Sequence, residues 1–208
     1  TGGLLGSRHG SATLILERSK SAEALGRPEA WAERRAVLAR YLMRNGRAKE
    51  AYRSAANHHI PVDGGASAYA DLEFLAGFIA LRRLNDPDTA LKHFNHLLAG
   101  VSTPISLARA HYWIGRALEA SGQDGTASYQ AAAAHQTAYY GLLAAERLGL
   151  SLDAGLLSDS RAPDWNGAGF RQSSVMAAVE LLRQAGDLTQ AKRFLLHLAE
   201  SQDETGPA

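Results

Sequence analysis

The chain has 208 residues, of which 46% are apolar, enough for one large domain or one array of repeats. Lys and Arg number 22 against 21 Asp and Glu, and a net charge of +1 points to neither a nucleic-acid surface nor a polybasic membrane patch. Cysteine is absent, which excludes disulfides, thiol catalysis and thiolate metal sites, and no apolar run approaches the roughly twenty residues of a membrane span.

The start, Thr1 to Gly10, has neither an initiating Met nor a signal-peptide pattern, which reads as a mature product or an excised fragment. Residues 1–25 are expected to form a truncated, weakly helical leading segment, with a helical remnant at Leu14 to Arg18. A boundary follows at Gly26-Arg27-Pro28, and proline suits a helix's first turn. Trp31, Arg35, Leu38 and Leu42 step along the helix that starts there, and Asn45-Gly46 stops it. A second helix carries Ala48, Ala51, Tyr52 and Ala55 at helical spacing and ends before Pro61, where a glycine-rich loop begins.

The pattern recurs. Leu72, Leu75, Ala76 and Ile79 form a stripe that Phe74, Phe78 and Leu81 widen, as expected of a helix buried on two sides. Asp86 and Pro87 form a cap-then-proline start for a helix with Ala90, His93, Phe94 and Leu97. Thr103-Pro104 starts the next one, with Leu107, Ala110, Ile114, Ala117 and Leu118 as its buried line and Arg109, Tyr112, Arg116 and Glu119 as its polar line. Gly122 ends it. Ala127, Ala131 and Ala134 suggest a thin face on the following helix that would let backbones approach, opposite Gly115. A third helix ends at Gly149, and a long loop over 150–170 with one short turn around Leu152 to Leu157 follows. Val175, Ala178, Val179 and Leu182 line the first helix of a last hairpin. Asp187 with Gln190 resembles a capping box for the second, which carries Leu188, Ala191, Leu195 and Leu198.

The hairpins align on a Gly or Asn with an Ala five residues on: Gly46 and Ala51, Asn85 and Ala90, Gly122 and Ala127, Gly186 and Ala191. An aromatic follows in each: Tyr52, Phe94, Tyr129, Phe194. One such hairpin cannot bury its own apolar faces, so the expected architecture is all-α, with stacked helical hairpins forming a curved superhelix of the tetratricopeptide kind.

Four segments give a more specific likeness: GRPEAWAERRAVLARYLMRNGRAKEAY at Gly26 to Tyr52, ADLEFLAGFIALRRLNDPDTALKHF at Ala70 to Phe94, PISLARAHYWIGRALEASGQ at Pro104 to Gln123 and AYYGLLAAERLG at Ala138 to Gly149. In order and wording they resemble the soluble lytic murein transglycosylases of Gram-negative bacteria. The resemblance implies superhelical repeats over 26–136 and linker helices over 137–208. It implies a periplasmic location and peptidoglycan glycan strands as partner. A separate goose-lysozyme-like domain performs the chemistry in that family, cleaving the glycan through one glutamate and leaving a 1,6-anhydro sugar. That domain is expected downstream of this chain, because Glu200-Ser201 matches only the first dipeptide of its signature. The chain alone is then a non-catalytic scaffold with no cofactor, and the alternative is a protein-interaction module of the tetratricopeptide type.

No residue is read as catalytic. Glu73, Glu119 and Glu146 lie in helices, where Arg116-Glu119 and Glu146-Arg147 read as solvated or hairpin-bridging ion pairs. His93-x-x-His96 puts two imidazoles on one helix face, but zinc needs a further His, Asp or Glu, and no matching pair stands out in another helix. The histidines, including His58, His59, His111 and His135, therefore read as ordinary surface or half-buried side chains, with no metal expected. The loop Asp63-Gly64-Gly65 lacks the lysine of a phosphate loop. Candidates for a substrate or partner surface are Arg34, Arg35, Arg82 and Arg83, suited to peptide carboxylates, Tyr139 and Tyr140, which with Trp113 offer flat faces for sugars, and Arg109, Tyr112 and Arg116 on the polar line of their helix.

Overall fold

A computed structural model of the chain describes residues 19–62, 66–157 and 168–201. Among them every regular element is helical. The first unit, Thr1–Leu157, runs α1 (Ala22–Leu25), a 3₁₀ turn (Pro28–Trp31), α2 (Ala32–Arg44), α3 (Ala48–Ala56), α4 (Ala66–Arg83), α5 (Pro87–Ala99), α6 (Pro104–Ala120), α7 (Thr126–Ala133), α8 (Tyr139–Leu148) and α9 (Ala154–Leu157). The second unit, Ser158–Ala208, holds a 3₁₀ turn (Gly169–Gln172), α10 (Ser174–Gln184) and α11 (Leu188–Ser201). Helix α8 belongs to the first unit because it packs on α6 and α7. The remnant expected at Leu14 to Arg18, the loop Asp63-Gly64-Gly65 and the stretch around Trp165 lie outside the described residues.

Local signals place the helix ends. Asp86 caps α5 through Oδ1, which accepts from the Thr89 N–H at 3.0 Å, and Pro87 follows at the first helical position. Asp187 accepts likewise from the Gln190 N–H ahead of α11 at 3.1 Å. Gly46, Gly122 and Gly186 adopt φ of +75°, +76° and +80°, the left-handed value that closes a helix. The residue after each donates back to the carbonyl five positions earlier, as in Arg47 N–H to Leu42 O at 2.9 Å. Asn85 takes the same role at φ +54°.

In the first unit each helix packs on the next, from α2 through α8, and the first helices of successive hairpins also touch: α2 on α4, α4 on α6. That extra layer of packing puts the first helices on the inner side of a stacked, solenoid-like array. Helix α4 is buried on both sides, as its wide stripe implies, with Leu72, Ala76, Ile79 and Ala80 fully inside. One core joins α2, α3 and α4 around Leu38, Leu42, Ala51 and Leu75. The next joins the end of α4 to α5–α8 around Phe94, Trp113, Ile114 and Tyr129. The second unit has its own small core of Met176, Val179, Ala191 and Leu198.

Two expectations change. The alanine face of α7 points outward: Ala127 and Ala134 are exposed, and Tyr129, Ala132 and Ala133 are buried instead. The turn Gly122–Gly125 holds two more residues than Gly46-Arg47, so α7 begins later. Tyr129, not Ala127, then occupies the place of Ala51 and Ala90. Gly115 on α6 makes room for its ring, since a Cβ there would lie 2.7 Å from Tyr129 Cε1. Gly77 on α4 does the same for Phe94, at 2.6 Å. The second change is that Leu188 and Leu195, expected to line α11 inwardly, are 66% and 43% exposed.

Gly115→Ala should destabilise the fold by about 1–3 kcal/mol despite the better helix former, because a buried ring cannot yield. Gly46→Ala, with open space around its Cβ, should lose about 1 kcal/mol from the left-handed backbone alone. Urea denaturation of both variants checks this, and no loss of stability in Gly115→Ala would refute the packing account.

Candidate functional site

The most concentrated chemistry among the described residues surrounds Glu73. Its carboxylate is 5% exposed and sits at the seam between the first two hairpins of the array. Asp71 and Glu73 are two residues apart, so they leave α4 on opposite sides: Asp71 toward the first helices, Glu73 toward the second. His58, from the segment after α3, approaches Oε1 with Nε2 at 3.0 Å. His93, from α5, approaches Oε2 with Nδ1 at 2.6 Å. His96, one turn further along α5, stands 3.6 Å from Oε2 with its own Nδ1.

The hydrogen bonds fix who donates. The Ile60 N–H donates to His58 Nδ1 at 2.9 Å, so that nitrogen is an acceptor and Nε2 carries the proton given to Glu73. The chain doubles back here because His59 adopts φ +54°, and its ring reaches the Ser19 carbonyl at 3.0 Å. His93 donates from Nδ1 to Glu73, and its Nε2 meets the Tyr52 hydroxyl of α3 at 2.9 Å. A run Tyr52–His93–Glu73–His58 thus ties α3, α4, α5 and the intervening loop together. Burial alone would push the Glu73 carboxyl up, but the hydrogen bonds from His58 and His93 outweigh it and hold it at about 2. Such a group is a permanent anion at neutral pH. It is the opposite of a general acid, which needs a raised value. The oxygen and nitrogen atoms of Glu73, His93 and His96 lie within 4.8 Å of one another, a spacing that suits a metal ion.

The candidates for a partner surface separate. Arg35 is not on the surface: it is 0% exposed. The two-sided burial of α2 draws it in, where Nη1 donates to the Ser54 carbonyl at 3.0 Å and Nη2 to Ser19 Oγ. Burial lowers its guanidinium to about 10. Tyr112 is also buried, packed between Tyr129 and Tyr140 with ring centroids 5.7 and 5.4 Å away. Arg116 lies over Tyr112 and Trp113 and donates to the Tyr112 hydroxyl at 3.3 Å. Arg34, Arg82 and Arg83 are exposed, with Arg83 beside the α2–α3 turn. Tyr139 is exposed, edge-on to half-buried Tyr140 at 5.2 Å. Arg109 lies 4.7 Å above the Phe74 ring and 3.8 Å from Asp71, in a groove between α4 and α6 shared with Ser67 and Ser106. A neighbouring groove between α2 and α4 has Glu33, Val37, Arg40 and Asp71 on its walls.

Sequence reading placed the ion pairs one partner away. Glu119 binds Arg147 of α8, not Arg116, with Arg147 Nε donating to Oε1 at 3.0 Å, and it accepts the Tyr129 hydroxyl at 2.8 Å. The histidine–carboxylate centre escaped it, because His58 and Glu73 are fifteen residues apart and neither lies in a metal-ligand spacing. The visible signals are the His93-x-x-His96 pair on one face of α5 and a glutamate on an otherwise apolar side of α4.

A carboxyl held low in the folded state stabilises the fold above about pH 4.5, and that stabilisation is lost as pH falls toward 2. Glu73→Gln should therefore be less stable than the parent, with the difference narrowing by on the order of 2 kcal/mol between about pH 5 and pH 3. Urea denaturation at both values measures it, and a constant difference would rule out the buried anion. No family model, curated protein or solved structure matches the chain.

Proposed function

We propose that the chain is a helical scaffold that positions peptidoglycan glycan strands, the non-catalytic region of a periplasmic lytic transglycosylase. The observation that carries this reading is where the resembling segments meet. From one segment come Tyr112, Trp113, Gly115 and Arg116 on α6, and from the other Tyr140, Gly141, Ala144 and Arg147 on α8. Tyr112 stacks on Tyr140 directly, and Gly115 and Arg147 meet through the buried Tyr129. Gly141 admits no side chain: a Cβ would overlap the His135 carbonyl oxygen and lie 3.0 Å from that of Ala132. The residues that carry the likeness are thus the ones this packing requires. Glu73 supports a scaffold as well, because its carboxylate is kept charged and tied down.

A second reading, a tetratricopeptide-like module binding a peptide, draws on the two inner grooves. Their mixed charges, Glu33 and Asp71 with Arg40 and Arg109, suit an extended chain bearing both signs, and the short peptides of peptidoglycan have the same character. The exposed aromatic Tyr139 suits a sugar face.

The scaffold reading expects the purified chain to co-sediment with isolated sacculi, and Arg40→Ala with Arg109→Ala to weaken that retention several-fold without loss of helicity. Extended through the reading frame downstream of Ala208, it should release anhydro-muropeptides from sacculi. Products with reducing ends, or no release, would reject the assignment. Tight binding of one protein partner without retention on sacculi would favour the module.

A further inference from the structure

The geometry points to a divalent transition-metal site, of the kind that takes Zn²⁺, formed by Glu73 of α4 with His93 and His96 of α5. The scaffold reading uses Glu73 as an anchor but calls for no metal there, and the site stands whichever functional reading holds.

Ligand spacing is the first ground. Donor atoms around a tetrahedral zinc at 2.0–2.1 Å are about 3.3 Å from one another. His96 Nδ1 and Glu73 Oε2 are 3.6 Å apart, close to that value. His93 Nδ1 and Glu73 Oε2 are 2.6 Å apart, a proton-sharing distance that an ion replacing the proton would open by about 0.7 Å. All three ligand atoms already lie within 4.8 Å of one another.

The second ground is donor chemistry. Two imidazoles and one carboxylate are borderline and hard donors that suit zinc and its neighbours, not Mg²⁺ or Ca²⁺, which take oxygen alone. Glu73 brings a negative charge that the fold already keeps in place, and a dication would neutralise it more fully than the hydrogen bonds do.

The outer partners supply the third. Glu73 Oε1, the oxygen turned away from the proposed ion, accepts from His58 Nε2, and the Ile60 N–H locks that tautomer. His93 Nε2, the ring nitrogen not facing Glu73, meets the Tyr52 hydroxyl, which accepts its proton once Nδ1 is a ligand. Ligands of a metal site are commonly oriented in this way by hydrogen bonds from behind.

The fourth is His96. It is 62% exposed, and among the described residues its imidazole makes no hydrogen bond. A side chain turned to the buried carboxylate without bonding it leaves a gap of the right width, open to solvent on one side. Three protein ligands with a solvent-facing fourth position is the pattern of a zinc site that keeps a water.

The exposure of His96 also makes the test clean, since removing it leaves the Tyr52–His93–Glu73–His58 run intact. The untagged full chain, stripped with a chelator, is titrated with Zn²⁺ by calorimetry and with Co²⁺ by visible absorption. The parent should bind one equivalent, show a Co²⁺ band of low coordination number, and gain thermal stability in zinc. His96→Ala should keep the metal-free melting temperature and lose at least tenfold in affinity. His135→Ala, at a half-buried position away from Glu73, should bind as the parent does. Equal affinity in the parent and His96→Ala, or no saturable binding by the parent, would overturn the proposal.

Discussion

Each hairpin of two short helices exposes more apolar surface than it can cover by itself. That shortage governs the first unit. Helix α4 illustrates it: Leu72 and Leu75 meet α2 and α3, while Ala80 and Leu81 join the core with α5 and α6. A helix so used has little surface left for solvent, and its neighbours cannot hold their conformations without it. Stability in such an array comes from interfaces between repeats more than from any one hairpin. The second unit carries the same shortage in view, since Leu181, Leu188 and Leu196 of its α10–α11 hairpin are more than half exposed.

Within each interface the fit is set by pairs of large and small residues. Phe94 lies in the space Gly77 leaves on α4, and Tyr129 in the space Gly115 leaves on α6. The pairs sit at different positions along their helices, Phe94 at the eighth residue of α5 and Tyr129 at the fourth of α7, and α7 starts two residues late. The chain absorbs that delay by replacing the small Ala of the earlier hairpins with Tyr129, whose hydroxyl then reaches Glu119 and, through it, Arg147 of α8. One insertion in a turn thus converts an apolar contact into a link among three helices.

Much of this was readable from periodicity. Stripes at helical spacing, the Asp86-Pro87 start and the left-handed Gly46, Gly122 and Gly186 depend on local chemistry alone, and each lies where the sequence puts it. Side-chain facing was less legible where a turn changes length, as at Ala127. Charged residues were the least legible. A linear reading offers Arg35 as a surface candidate and gives Glu73 no partner, yet both are buried, because their partners come from elsewhere in the chain: Ser54 and Ser19 for one, His58 and His93 for the other. Pairing across that distance leaves no period to detect.

Those two buried charges also divide the molecule's work. Arg35 fills the α2–α3 interface, and Glu73 pins α4 to the segment after α3 and to α5; a buried ion holds only if its few partners are in register. A purely apolar seam between alanine-rich helices would tolerate sliding by a turn. A carboxylate that must meet two imidazoles, one of them locked by the Ile60 N–H, would not. Because Asp71 leaves α4 on the other side, into the grooves of the inner face, fixing Glu73 also fixes the angle at which Asp71 and Arg109 are presented there. The polar seam and the grooved face are then two sides of one helix, and the rigidity of the first sets the geometry of the second.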